Sequence, residues 1–235
     1  MANCVTKHVP NALTCSNLVS GCIAVQFAFW GNYPMAFLFI VIGAVFDFFD
    51  GMSARLLGVS SPIGKELDSL ADVVTFGVAP SAMVFTLLKT QIAAPALSPI
   101  GSYVPFAAFL MAAFSALRLA KFNLDARQAT SFIGLPTPAN ALFWASLVVG
   151  CGDLLPSSLW VTAAIVALVF VSSALLVAEI PMFALKFKHW GWQGNQVKYV
   201  FVITCIPLLL LLKWLGFAAI IAWYVILSVL SDKKS

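Results

Sequence analysis

The chain has 235 residues, of which 62% are hydrophobic and 9% are charged. This composition supplies too little polar surface for a water-soluble globule of this length, so the sequence predicts an integral membrane protein. The net charge of +4 is explained by basic residues on the cytoplasmic side, facing anionic lipid headgroups, and gives no reason to expect a nucleic-acid partner.

Apolar runs long enough for a membrane-spanning helix, which needs roughly 20 residues, recur along the chain between proline, glycine, asparagine and charged residues. They predict an all-α integral membrane domain over residues 11–235, preceded by a short N-terminal interfacial segment, residues 1–10. The eight predicted transmembrane helices cover residues 11–31, 34–57, 66–89, 103–124, 136–154, 157–178, 197–214 and 215–231.

The basic residues favour one orientation in the membrane. With the N-terminus in the cytoplasm, only Lys89 and Lys213 of the 13 lysines and arginines lie outside, as the positive-inside rule requires. An even number of helices then places both termini in the cytoplasm. The residues on the cytoplasmic side are Lys7, Arg55, Lys65, Arg118, Lys121, Arg127, Lys186, Lys188, Lys198, Lys233 and Lys234.

Four aspartates interrupt the second and third predicted helices: Asp47, Asp50, Asp68 and Asp72. A carboxylate deep in hydrocarbon costs about 2.5–3.5 kcal/mol, so a cluster of four implies a compensating cation. Residues three or four positions apart share a helix face, and the turn at 58–62 makes the two helices antiparallel neighbours. We therefore expect the four carboxylates to converge on one polar pocket at the cytoplasmic side.

The ligand set of this pocket predicts its metal. Carboxylate oxygens without histidine or cysteine suit Mg²⁺ or Mn²⁺. Two such ions would balance four carboxylates, and paired ions support in-line phosphoryl displacement. Gly51 and Ala54 leave room on the same helix face for a diphosphate, and Arg55 offers a guanidinium to phosphate oxygens.

The window 47–72 resembles a known family signature. It fits D-x2-D-G-x2-A-R-x8-G-x3-D-x3-D, the motif of the CDP-alcohol phosphotransferases. The segments PNALTCSNLVSG, RLAKFN, FIGLPTP and IPMFALKFK extend the resemblance to the branch of integral-membrane phosphatidylserine synthases. The residues that match the motif are Asp47, Asp50, Gly51, Ala54, Arg55, Gly64, Asp68 and Asp72.

The resemblance implies a reaction and roles for these residues. The four aspartates would bind the metal pair, and Gly51, Ala54 and Arg55 would receive the CDP end of CDP-diacylglycerol. Asp72 would also act as the base that takes the proton of the L-serine hydroxyl, while serine attacks the lipid-side phosphorus and CMP leaves. The resemblance further implies a homodimer, surrounded by membrane lipid, in the cytoplasmic membrane of a prokaryote.

Serine itself needs partners for its charged groups. Arg118 and Asn123 border the fourth predicted helix on the cytoplasmic side and are the candidates, although basic residues there also satisfy topology. No role is assigned to the intervening Lys121, to His189 or to the loop 180–196, which is interpreted as an interfacial anchor. Three polar residues share one face of the first helix: Asn11, Thr14 and Asn17. This polar face predicts either hydrogen bonds between helices or a lining of the nucleotide site.

Three alternatives stay open at this point. A relative that uses glycerol 3-phosphate or an inositol phosphate as acceptor would need more basic residues in its acceptor pocket, and those after the fourth helix allow this. An aspartate-rich prenyltransferase would carry a second acidic cluster, which the lone Asp125, Asp153 and Glu179 do not form. A cation transporter would show inverted repeats, and the aspartate motif occurs once.

Overall fold

A computed structural model describes residues 8–59, 61–91, 99–125, 132–183, 191 and 195–232. Within these residues the chain forms nine α-helices and one pair of two-residue antiparallel strands, β1 (Phe132–Ile133) and β2 (Pro181–Met182). The helices are α1 (Val9–Phe29), α2 (Tyr33–Leu57), α3 (Pro62–Asp72), α4 (Ala79–Gln91), α5 (Leu110–Leu124), α6 (Thr137–Cys151), α7 (Leu159–Val177), α8 (Gln196–Leu212) and α9 (Leu215–Asp232).

The helices have the composition of a membrane protein. Three of the predicted spans are matched by apolar helices of 10–17 residues, Thr137–Cys151, Gln196–Leu212 and Leu215–Leu230. A helix of 15 residues rises about 22 Å, less than the roughly 30 Å of a hydrocarbon core, so the count of eight spans stays a prediction. Five helical segments of the described residues are long and apolar enough to cross a membrane: Val9–Phe29, Tyr33–Leu57, Pro62–Thr90, Gly101–Leu124 and Leu159–Val177.

Most helix starts lie within two residues of the predicted ones, and two of the differences have a clear cause. The third span begins at Pro62 rather than at residue 66, because the Ser61 side chain accepts a hydrogen bond from the Gly64 N–H at 2.9 Å and proline suits the first helical position. This first turn is polar, so an apolar pattern does not reveal it. Helix α1 begins at Val9, inside the predicted interfacial segment, whose residues 1–7 lie outside the described part of the chain.

The third and fourth spans are not uniform α-helices. A π-helical segment, Val73–Val78, joins α3 to α4 directly after Asp72, and wide turns of this kind often occur at functional sites. A 3-10 helix, Pro99–Phe109, precedes α5 and contains Pro105, which has no N–H to donate to an α-helical hydrogen bond. Each span therefore changes its helical geometry part-way along.

Helix α1 is the support for the two acid-bearing helices. Helices α2 and α3 both pack against α1, and the α1–α2 pair is the most extensive helix contact of the described fold. The packing is close because small residues such as Ala24, Ala28 and Ala36 are fully buried there, which lets helix backbones approach. The space left between α2 and α3 becomes the site described below.

Candidate active site

Helices α2 and α3 bring the predicted carboxylates together. One oxygen from each of Asp47, Asp50 and Asp68 lies within 4.8 Å of the other two. Asp72 is not part of this group of three, but it is buried and interacts electrostatically with Asp47 and Asp68. Three of the four side chains expected to converge therefore meet, and Asp72 lies in the same charged cluster.

This cluster fits a divalent cation. Asp50 and Asp72 are 6% and 7% exposed, and Asp68 Oδ1 is buried without a hydrogen-bond partner among the described residues. Burying charged carboxylates beside one another is strongly unfavourable without a compensating positive charge. Oxygen ligands alone suit Mg²⁺ or Mn²⁺, and Asp47, Asp50 and Asp68 are the residues placed to hold such an ion.

Helix α1 donates hydrogen bonds to two of the carboxylates. The Thr14 hydroxyl lies 2.6 Å from Asp50 Oδ2 and 3.1 Å from the Pro10 carbonyl of its own helix, so the carboxylate is its nearer acceptor. The Asn17 amide donates to Asp72 Oδ1 at 3.1 Å. Thr14 and Asn17 therefore make the hydrogen bonds between helices that were one of the two roles predicted for this face, and Thr14 also lines the first cavity described below.

The π-helical segment, which directly follows Asp72, holds α1 in place beside the carboxylates. The Thr75 hydroxyl donates to the Asn17 carbonyl at 3.0 Å. A Cβ added at Gly21 would lie 2.8 Å from Thr75 Cα, and one added at Gly43 would lie 2.5 Å from Thr75 Cγ2. Glycine at both positions is therefore required for α1 and α2 to close around Thr75, which in turn positions Asn17 beside Asp72.

A first cavity of about 590 Å³ opens on the outer side of the carboxylates, and its size is that of an ordinary ligand site. Asp50 and Asp68 line it together with Gly51 and Ala54, two of the residues predicted to receive the CDP group. A Cβ added at Gly51 would meet only Arg55 Nη1, at 3.7 Å. The backbone at Gly51 is therefore open to a ligand, with the Arg55 guanidinium beside it. Asn11 also lines this cavity.

A second cavity, of about 310 Å³, is lined by Arg118 and Lys121 of α5. Arg118 is 6% exposed, and its Nε has no hydrogen-bond partner within the described part of the chain. Its guanidinium lies 5.6 Å from the centre of the Phe122 ring and interacts electrostatically with Asp72. Arg118, predicted to bind serine, therefore lies within electrostatic range of the carboxylate predicted to act as the base.

Asn123, the second residue predicted to bind serine, occupies a different place. Its side-chain amide donates to Ser69 Oγ at 2.8 Å, and its carbonyl accepts from Lys65 Nζ at 3.0 Å. These bonds tie the end of α5 to α3 and put both at the same end of the molecule as the carboxylates. Asn123 thus fixes the helix that carries Arg118, and its contact with serine stays a prediction.

Sequence reasoning missed two residues of the second cavity. Asp125 and Glu179 both line it, although they were treated as unconnected acidic residues. They are far apart in the sequence, and no local pattern links the end of α5 to the end of α7. The link is the β1–β2 pair together with the residues beside it: the Gly134 N–H, after β1, donates to the Ile180 carbonyl, and the Leu135 N–H donates to the Leu175 carbonyl of α7, each at 2.9 Å. His189 and most of the loop 180–196 lie outside the described residues.

Comparison with known proteins decides the family. The family model for CDP-alcohol phosphatidyltransferases matches residues 7–152, which include all four aspartates and Arg118. The chain belongs to this family.

Three curated relatives are similar to this chain, and each is described as a CDP-diacylglycerol–serine O-phosphatidyltransferase. The protein from Bacillus subtilis is 40% identical over 136 residues, which are 56% of this chain and 70% of that protein. That from Mycobacterium leprae is 33% identical over 190 residues, 74% of this chain and 57% of the relative. That from Methanocaldococcus jannaschii is 33% identical over 151 residues, 64% of this chain and 63% of the relative. The chain therefore matches about six tenths to seven tenths of each relative's length.

Replacing Thr14 by valine tests how α1 supports the metal site. Thr14→Val keeps the shape of the side chain but removes the donor to Asp50, and loss of such an outer hydrogen bond lowers metal affinity about 10–100-fold. We expect a weaker Mn²⁺ affinity of this order, measured by electron paramagnetic resonance on purified protein. Thr90→Val is the matched control, because within the described residues the Thr90 hydroxyl bonds to two carbonyls of its own helix and to no carboxylate. Equal Mn²⁺ affinity in both variants would show that Thr14 does not support the site.

Proposed function

We propose that this chain transfers the phosphatidyl group of CDP-diacylglycerol to the hydroxyl of L-serine and releases CMP. The observation that carries the proposal is the order of the groups across the site. The first cavity contacts Asp50 and Asp68, an Asp47 oxygen lies within 4.8 Å of both, and Asp72 interacts electrostatically with Asp47 and with Arg118, which lines the second cavity. A donor and an acceptor can thus meet at the carboxylates from two sides.

The donor is assigned to the first cavity. Its volume, the bare backbone at Gly51 and the neighbouring Arg55 guanidinium suit the phosphates of a CDP group. Lys65 also lines the cavity and adds a second positive charge. The cavity lies at the ends of apolar helices, so a nucleotide head can bind there while diacylglycerol chains remain in lipid.

Asp72 is the proposed base for the serine hydroxyl. Its Oδ1 accepts a hydrogen bond from Asn17, which leaves Oδ2 to take the hydroxyl proton. The serine oxygen then forms a bond to the lipid-side phosphorus, and the bond from that phosphorus to the CMP oxygen breaks. Arg118 is placed beside Asp72 to bind the serine carboxylate and orient the hydroxyl.

The family is metal-dependent, and its acidic cluster is present here as Asp47, Asp50 and Asp68. Two divalent cations, Mg²⁺ or Mn²⁺, are proposed to bind these carboxylates and Asp72, and when bound they neutralise the diphosphate and stabilise the leaving CMP. The chain's own contribution is to fix the carboxylates through Thr14 and Asn17 before any substrate binds.

The setting of the reaction follows from the same residues. Eight membrane-spanning helices, with both termini in the cytoplasm of a prokaryote, would place the two cavities at the cytoplasmic surface, where serine and CMP are dissolved. A homodimer is proposed on the family resemblance alone. The relatives described as serine O-phosphatidyltransferases support serine over phosphorylated acceptors.

An acceptor screen tests the proposed function directly. Purified protein with CDP-diacylglycerol and Mn²⁺ is expected to release CMP with L-serine and to form phosphatidylserine in equal amount. Glycerol 3-phosphate and an inositol phosphate are expected to release little CMP. CMP release with a phosphorylated acceptor but none with serine would overturn the assignment, and uptake of Mn²⁺ into proteoliposomes without CMP release would favour a transporter.

Replacing Asp72 by asparagine tests the base. Asp72→Asn keeps an acceptor for Asn17 but cannot take a proton, and general-base catalysis contributes about 10²–10⁴-fold. We expect kcat to fall by this factor at saturating Mn²⁺, while Mn²⁺ binding persists through the other three carboxylates. Asp68→Asn is the comparison, because it should weaken Mn²⁺ binding itself. A near-normal kcat for Asp72→Asn at neutral pH would withdraw the base assignment.

A further inference from the structure

The second cavity brings charges of both signs together from two parts of the chain. Arg118 and Lys121 belong to α5, Asp125 directly follows α5, and Glu179 follows α7. The remaining lining residues are apolar. A small cavity with cations and carboxylates on its walls matches a zwitterion better than it matches an anion.

The cations differ in depth. Lys121 is exposed at the mouth, whereas Arg118 is buried, with an Nε that has no partner among the described side chains and carbonyls. A buried donor left without an acceptor is unfavourable. A carboxylate that accepts two parallel N–H bonds from the guanidinium would remove this cost. The buried end of the cavity is therefore suited to a carboxylate.

The part of the lining that comes from the end of α7 is suited to an ammonium group. It includes Leu176 and Val177, the last residues of α7, and Ala178, which ends that helix. The carbonyls at the end of a helix carry partial negative charge and attract cations. Glu179 adds a full negative charge directly after them, and the half-buried Asp125 adds another.

We propose that this cavity is the acceptor subsite, in which Arg118 binds the carboxylate of an amino-acid acceptor and Asp125 and Glu179 bind its ammonium group. The inference rests on the proposed function and deepens it, because Glu179 lies beyond the region that matches the family model. With the carboxylate on Arg118, the hydroxyl is on the side of Asp72. The same two acidic residues repel a phosphate group, which makes them determinants of specificity against phosphorylated acceptors.

The unmodified protein provides the first test. Serine is compared with ethanolamine, which lacks the carboxylate, with 3-hydroxypropionate, which lacks the ammonium group, and with glycerol 3-phosphate. Since each analogue leaves buried or paired charges of the subsite unmatched, we expect kcat/KM for each, measured as CMP release, to be at least about tenfold below that for serine. Use of 3-hydroxypropionate as efficiently as serine would overturn the assignment of the acidic wall.

Variants then assign the two walls separately. Asp125→Asn combined with Glu179→Gln is expected to raise the KM for serine about 10–100-fold and to leave the KM for CDP-diacylglycerol unchanged. The ratio of kcat/KM for serine to that for 3-hydroxypropionate should fall by the same factor, because only serine has an ammonium group that interacts with these two carboxylates. Arg118→Gln should instead shrink the preference for serine over ethanolamine. The control is Glu66→Gln, which removes an exposed carboxylate of α3 that lines neither cavity.

The outcomes separate this inference from the proposed function. If the unmodified protein releases no CMP with serine, the proposed function itself fails. If the unmodified protein does release CMP with serine, but the double variant keeps the normal KM for serine and the normal selectivity, the assignment of the subsite is wrong while the proposed function stands. If the double variant does not fold, the analogue series on the unmodified protein decides, since it needs no substitution.

Discussion

The structure depends on keeping four carboxylates together between helices that are otherwise apolar. Such a cluster is unfavourable by itself, and two features of the chain make it tolerable. Neutral donors on α1, the Thr14 hydroxyl and the Asn17 amide, each bond to one carboxylate. One oxygen from each of Asp47, Asp50 and Asp68 lies within 4.8 Å of the other two, which suits a hard divalent cation.

The placement of α1 explains why the carboxylates keep fixed positions relative to one another. Because α2 and α3 both pack on α1, the separation between the acid-bearing helices is set by a third element. The π-helical segment contributes to this, since Thr75 enters the space left by Gly21 and Gly43 and bonds to the Asn17 carbonyl. The gap that remains between α2 and α3 is the cavity assigned to the CDP group.

The acidic cluster could be predicted because its residues lie in one short window. The spacing of Asp47 and Asp50 on one helix, and of Asp68 and Asp72 on the next, fixes their faces, and one tight turn makes the helices neighbours. The role of α1 was foreseen only as a choice between two functions of its polar face. The π-helical segment after Asp72 was not foreseen, because an apolar run does not distinguish it from an α-helix.

The acceptor side was predicted less completely for a physical reason. Arg118 stood out as a basic residue at a helix end, but Asp125 and Glu179 come together only through the strand pair and the end of α7, a contact between distant parts of the chain. Asn123 was chosen as a ligand from its position alone; the structure shows it bonded to Ser69, and its contact with serine stays a prediction. Helix starts were missed where the first turn is polar, as at Pro62.

Anomalous scattering from crystals soaked in Mn²⁺ tests the central claim most directly. The account predicts manganese density between α2 and α3, in contact with the carboxylates of Asp47, Asp50 and Asp68. The absence of manganese at that position, in protein that still releases CMP from CDP-diacylglycerol, would contradict it.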